Sequence, residues 1–326
     1  MAEAQAPAAE AHEPRYTPDQ ARDLAARYAS KFATTTAWPA ISRAAYVLDL
    51  DTLRRELAAR VGVDTLAMGP EDEGINTGGR TPLQLACEAT NELIVYRRGG
   101  TEEAFLGWAA SSPSRRREID EGIHADRVAC VALLLEHGAS PNPGGPLKPP
   151  LMGAARNGSL PIVNMLISAG SDPNALYRIA PHLTDDVWSA LFLTVLAQKR
   201  DSVAIADALL KAGADANPPK NADRSLMEWA IQIAHRDRYL WPVLLRGGAT
   251  LPPRVNPNNG NAGFQAWNNQ IARPYLERIE AAGSWKAYEK AHRAKLLATF
   301  TPKFTHLLPP ELVPLILEFS FHIGFY

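Results

Sequence analysis

Apolar residues recur along the chain at steps of three and four, the period of a helix with one buried face. The clearest stripe is Ile162, Val163, Leu166 and Ile167. Four Leu-rich helical segments end at Gly138-Ala139, Gly170-Ser171, Gly213-Ala214 and Gly248-Ala249, with successive spacings of 32, 43 and 35 residues. Three of these ends run into an asparagine, Asn142, Asn174 or Asn217. Some twenty residues before a helix end lies a start built from small residues and leucine, as in Pro150-Leu151-Met152-Gly153-Ala154-Ala155 or Ser189-Ala190-Leu191. A fixed period of this length predicts stacked helix pairs.

The fullest start is Thr81-Pro82-Leu83-Gln84-Leu85-Ala86. Its threonine can accept a helix-start N–H, and proline suits the first helical position, where no N–H partner is needed. Small alanines let paired helices approach, and glycine ends the second helix in the left-handed conformation. These starts and closures resemble the ankyrin repeat, which opens with Thr-Pro-Leu-His-x-Ala and closes with Leu-Leu-x-x-Gly-Ala-Asp-x-Asn. The resemblance implies an all-α ankyrin-repeat solenoid of about five helix-pair repeats over residues 37–252, with helical N-terminal and C-terminal caps.

The unit at 149–176 has the family length without a gap. Units near 188–217 and 223–252 carry about three extra residues each, which predicts first helices one turn longer. Tyr177 to Asp186 reads as a lengthened finger loop. The Thr81 start is separated from its closure, Leu133-Leu134-Leu135-Glu136-His137-Gly138, by an insertion over 88–126. A variable loop is expected there, with its own helix signal in Thr101 to Ala110; Trp108 and Arg115-Arg116-Arg117 make a second recognition element the alternative. Ile41-Ser42-Arg43-Ala44-Ala45 with Leu50, Leu53 and Leu57 reads as a degenerate first repeat. Residues 1–16 read as a disordered tail. Residues 17–36 read as a capping helix opened by the Thr17-x-x-Gln20 box, with Leu24, Tyr28 and Phe32 at four-residue steps.

Beyond the repeats, 253–263 is turn chemistry and predicts a linker. Over 264–326 a helical cap is expected. Pro274 should divide its first helix, and a second should run from Ser284 with Trp285, Tyr288, Leu296 and Phe300 near one face. Lys286, Lys290, Arg293 and Lys295 read as the solvated side of that helix, or a basic docking strip. The apolar end, Leu307 to Tyr326, must be buried, and its Leu308-Pro309-Pro310-Glu311-Leu312-Val313-Pro314-Leu315-Ile316-Leu317 core resembles the opening of an F-box. That resemblance implies a docking helix presenting Leu308, Leu312, Leu315, Ile316 and Phe319.

The formal net charge of −1 provides no field to hold nucleic acid or an anionic membrane, so no nucleic-acid partner is expected. Apolar runs fall short of a membrane span. Cys87 and Cys130 are the only cysteines, and they lack zinc or disulfide spacing. Reduced thiols and the lack of a signal or transit pattern predict the cytoplasm or nucleus. No phosphate-binding loop or paired histidines stand out, and the acidic pairs Glu71-Asp72-Glu73 and Asp185-Asp186 lie in loops. Neither an enzyme nor a metal or other cofactor is expected.

The resemblance instead implies a protein-interaction scaffold that binds through its concave face and finger loops. Mapping the motif places Arg80, Lys148, Arg156, Asn157, Trp188 and Asp223 there, with Trp188 the sharpest candidate for an anchor and its alternative role the cover of its own repeat. A ubiquitin-ligase substrate adaptor, docked through the F-box-like helix, and a structural subunit of a larger complex are the competing readings.

Overall fold

The structure is a computed structural model that describes residues 16–34, 38–68, 79–99, 102–145, 147–178, 186–220, 224–233, 239–254, 266–304, 309 and 311–313. Among these residues it is all-α. Single antiparallel bridges join Ala67 with Arg80 and Tyr177 with Trp188. The chain divides into two compact units, Met1–Pro150 and Leu151–Tyr326.

In the first unit, α1 (Pro18–Thr34) opens with a reciprocal box: Gln20 N donates to Thr17 Oγ1 at 3.2 Å and Thr17 N to Gln20 Oε1 at 2.9 Å. The degenerate repeat is a true helix pair, α2 (Ala40–Val47) and α3 (Leu50–Ala58), burying Ile41, Ala44, Ala45, Leu53 and Leu57. Asp49 starts α3 by accepting Thr52 N at 3.1 Å. The second repeat pairs α4 (Pro82–Glu88) with the 24-residue α7 (Pro113–Glu136). At the start of α4, Gln84 N donates to Thr81 Oγ1 at 3.3 Å and Thr81 N to Gln84 Oε1 at 2.6 Å.

The insertion is not a loop. It folds as α5 (Asn91–Gly99), α6 (Glu102–Ala110) and the first half of α7. Ile94, Val95, Phe105, Trp108, Ala109 and Ile123 are buried among these elements, which provides the apolar face a helix needs to persist. Arg127 of α7 is buried and pins the α4–α5 connection, donating to Ala89 O at 2.7 Å and Asn91 Oδ1 at 2.9 Å. Such bonds are what make a buried cation tolerable. The N-terminal helix α1 packs against α6 and α5, and α5 in turn packs against α2. Tyr16 supports this by donating to Glu92 Oε1 at 3.1 Å.

The second unit holds three helix pairs: α8 (Pro150–Asn157) with α9 (Leu160–Ser168), α10 (Ala190–Ala197) with α11 (Ser202–Lys211), and α12 (Leu226–Ile233) with α13 (Leu240–Arg246). α10 is eight residues long, as α8 is, so the extra turn expected in that unit is absent and its added residues sit between α10 and α11 instead. Polar Gln198 takes the left-handed conformation at φ 46° and stops α10, and its side-chain amide donates to Ile233 O at 2.5 Å.

The recurring glycines are C-terminal stops. Gly170 lies at φ 86°, and Ser171 N returns to Leu166 O at 2.9 Å. The following asparagines tie neighbouring repeats: Asn174 Nδ2 donates to Gly213 O at 2.8 Å, and Asn217 Nδ2 to Gly248 O at 2.9 Å. Beyond the repeats lie α14 (Arg273–Ala281), with Pro274 in its first turn, and α15 (Trp285–Phe304), with Ser284 accepting Ala287 N at 3.2 Å. Trp241 of α13, Tyr275 of α14 and Trp285 and Tyr288 of α15 form one buried aromatic cluster over the last repeat. Leu308, Leu315, Ile316 and Phe319 lie outside the described residues, as does the expected N-terminal tail up to residue 15. Leu312 is 42% exposed and Val313 buried. No helix among the described residues is long and apolar enough to cross a membrane.

Candidate protein-binding face

Two residues before α4 and before α10 a backbone bridge closes a finger. Trp188 N donates to Tyr177 O at 2.9 Å and Tyr177 N to Trp188 O at 3.0 Å; Ala67 and Arg80 exchange the same pair at 2.8 and 3.0 Å. These bonds fix the backbone on which the face's side chains stand.

In the first unit Lys148 is engaged internally. Its ammonium pairs with Glu88 at 2.9 Å, the two side chains only 18% and 26% exposed, and its carbonyl accepts from Gln84 Nε2. Arg80 is half-buried beside it in sequence register. Trp108 is core, 4% exposed, and Arg116 donates to Ala109 O at 3.0 Å and Ser111 O at 2.6 Å, closing the end of α6. The proposed recognition role of that insertion therefore loses its aromatic, and one of its three arginines serves as a helix cap. A groove of about 760 Å³ remains between α6 and α7, lined by Val95, Trp108, Ile119 and Ile123 with Gly107 and Gly122.

The second unit offers a different surface. Trp188 is half-buried and stands edge-on to Phe192, ring centroids 5.2 Å apart at 87°. Phe192 is fully buried and meets Trp229 of α12 at 6.1 Å and 70°. One core ring thus braces two partly exposed indoles, the edge-to-face geometry that aromatic quadrupoles favour. The Arg224 guanidinium lies 5.2 Å over Trp229 and also donates to Gln232 Oε1. Arg156 is exposed at the end of α8, while Asn157 beside it is half-buried.

Trp229 and Arg224 are absent from the sequence mapping, which names Asp223 instead. Asp223 lies outside the described residues. The start of α12 shows the slip: Glu228 N donates to Ser225 Oγ at 3.3 Å and Ser225 N to Glu228 Oε2 at 2.7 Å, the same box as Thr81 and Gln84. Ser225 therefore corresponds to Thr81, and Arg224, not Asp223, corresponds to Arg80. The Ser-x-x-Glu spacing was the available signal.

Burial raises the Cys87 thiol far above its ordinary range and Cys130 to about 12, so both are protonated and inert near neutrality. Among the described residues no group of His, Cys, Asp and Glu could hold a metal ion. On α15, Lys286, Lys290, Arg293 and Lys295 are exposed.

Helix pairs closed by glycine, tied by asparagine and joined through fingers define a helical repeat protein. A family model of the ankyrin repeat matches residues 148–177, the unit with the regular length. Among solved structures the chain is similar to the human ASB11 ankyrin repeat domain, at 18% identity over 73% of this chain and 96% of that one with a TM-score of 0.39. It is also similar to an ankyrin repeat domain from Acinetobacter baumannii AYE, at 22% identity over 64% of this chain and 98% of that one with a TM-score of 0.36. No curated protein matches the chain.

Proposed function

We propose that the chain binds another protein through the face of its second unit formed by the fingers and first helices, with Trp188 as the anchor. Ankyrin repeats point to protein–protein interaction as the general role. The observation that carries the specific reading is the half-buried Trp188 indole held edge-on by the fully buried Phe192. A braced aromatic loses little rotamer freedom on docking, and tryptophan is among the residues most enriched at binding hot spots.

The adaptor reading gains no support from the described part of the tail, where Leu312 is the sole described member of the implied docking helix. A structural-subunit role is likewise favoured by no observation.

Affinity purification with the full chain and with Trp188→Ala, read by mass spectrometry, tests the proposal. A partner captured by the parent should be lost or reduced by about tenfold or more with the variant, as removal of a hot-spot aromatic implies. The melting temperature should stay near the parent's. Undiminished capture, or a loss of stability matching the loss of binding, would contradict it.

A further inference from the structure

Helix α15 outreaches the helices it packs on. Its 20 residues extend about 30 Å, against about 14 Å for the 9 residues of α14 and about 10 Å for the 7 of α13. Its burial changes along its length accordingly. Trp285 and Tyr288, at its start, are buried against Tyr275 of α14, with ring centroids 6.2 and 5.9 Å away. From 289 to 304 no residue is fully buried. Yet His292, Leu296 and Phe300 continue the stripe at steps of four, and with Leu297 and Phe304 beside them they are all half-buried. Roughly half of α15 thus carries apolar side chains that α14 is too short to cover.

The chain itself supplies a cover. Residues 305–326 follow directly from α15, and Val313 among them is fully buried, so the chain past Phe304 packs back onto protein there. Leu315 to Tyr326 is apolar except for Glu318, Ser320, His322 and Gly324. Its reach is sufficient, because residues 314–326 span about 20 Å even as a helix and the overhang of α15 is about 16 Å. Its polar groups also have a use. Trp285 Nε1, Tyr288 OH and His292 Nε2 are covered but have no hydrogen-bond partner among the described residues, whereas buried polar atoms are nearly always paired. A cover that is apolar with a few polar side chains is what this face calls for.

We infer that residues 314–326 fold back along α15 as a strap over Leu296, Leu297, Phe300 and Phe304. The strap belongs to the C-terminal helices and stands or falls separately from the Trp188 face. Burial of apolar surface on both sides holds it in place. It also engages Leu315, Ile316 and Phe319 internally, so a scaffold reaches these residues only by lifting the strap and uncovering α15.

Photo-crosslinking of the full chain with p-benzoylphenylalanine in place of Phe319 tests the strap. Isotope-labelled and unlabelled chains are mixed before irradiation, so that mass spectrometry of the digest separates links within a chain from links between chains. The expected product joins residue 319 to a peptide of 285–304 in the same chain. Links to the repeats at 151–246, links between copies, or no link overturn the strap, and links between copies would make a second chain the cover. Hydrogen exchange on the Phe319→Asp variant is the second reading. Exchange over 292–304 should speed up by about tenfold or more while 151–246 keep the parent's rates. Unchanged exchange over 292–304, or equal acceleration throughout the chain, likewise overturns it.

Discussion

Asn174 fastens itself to Gly213 in the next repeat: its Nδ2 donates to the glycine carbonyl at 2.8 Å, and its Oδ1 accepts Asp215 N at 2.7 Å. Asn217 repeats the arrangement with the Gly248 carbonyl at 2.9 Å and Thr250 N at 2.8 Å. One amide side chain thus satisfies a carbonyl left over at a helix end and an amide of the loop that follows. In the first unit Asp64 plays the acceptor half of this role toward Ser140 N at 3.1 Å.

Replacing Asn174 with Ala removes two hydrogen bonds at once. The expected loss is about 1–3 kcal/mol, the sum of two ordinary bonds partly replaced by water. Asn174→Asp keeps the acceptor and should lose less than Asn174→Ala. Urea unfolding of the two variants checks the order, and equal losses would show that the bond accepted from Asp215 N contributes nothing.

Gly158 and Gly170 separate two reasons for glycine. Both have positive φ, 76° and 86°. A Cβ on Gly170 meets nothing within 4 Å, whereas one on Gly158 lands 2.4 Å from Lys199 Cβ. Gly170→Ala should lose about 1–2 kcal/mol from backbone strain alone. Gly158→Ala should lose clearly more, because Lys199 or its backbone must also move. Similar melting temperatures for the two variants would remove the close approach of α8 and Lys199 from the description.

The repeat was legible because its punctuation is local. A threonine or serine box, a leucine stripe and a stopping glycine are each decided within a few residues, so the ends of α4, α9, α11 and α13 could be read from the chain. Three features were not legible. The extra residues near 198 could lengthen a helix or a connection, and the left-handed Gln198 that decides between them is set by its bond to Ile233 in the next repeat. The insertion looked variable because its helices are held by contacts among α1, α5, α6 and α7, with Tyr16 and Trp108 far apart in sequence but 6.3 Å apart in space. At the face, Trp188 stood out by its type, while Trp229 became a candidate only when Phe192 was found between them.

The C-terminal helices give the second unit a pH dependence. His292 of α15 stacks on Tyr288 at 5.7 Å and 19°. Burial lowers its pKa below 6.5, and Lys295 and Arg278 push it the same way. Unfolded histidine takes up a proton near 6.5, whereas the folded one does so only at lower pH. Its contribution to stability is therefore complete above about pH 6.5 and falls as the pH drops from there through the lower folded value. Urea titrations between pH 7.5 and 5 should show His292→Phe losing less stability on acidification than the parent. Parallel curves would assign the acid sensitivity elsewhere.

Hydrogen exchange with a captured partner tests the binding face most directly. Exchange slows where a partner covers the backbone and its side chains. Adding the partner should slow exchange in residues 186–192 and 224–229, around Trp188, Phe192, Arg224 and Trp229, while α14 and α15 keep their free rates. Protection confined to α14 and α15, or to the first unit, would contradict the assignment of this face.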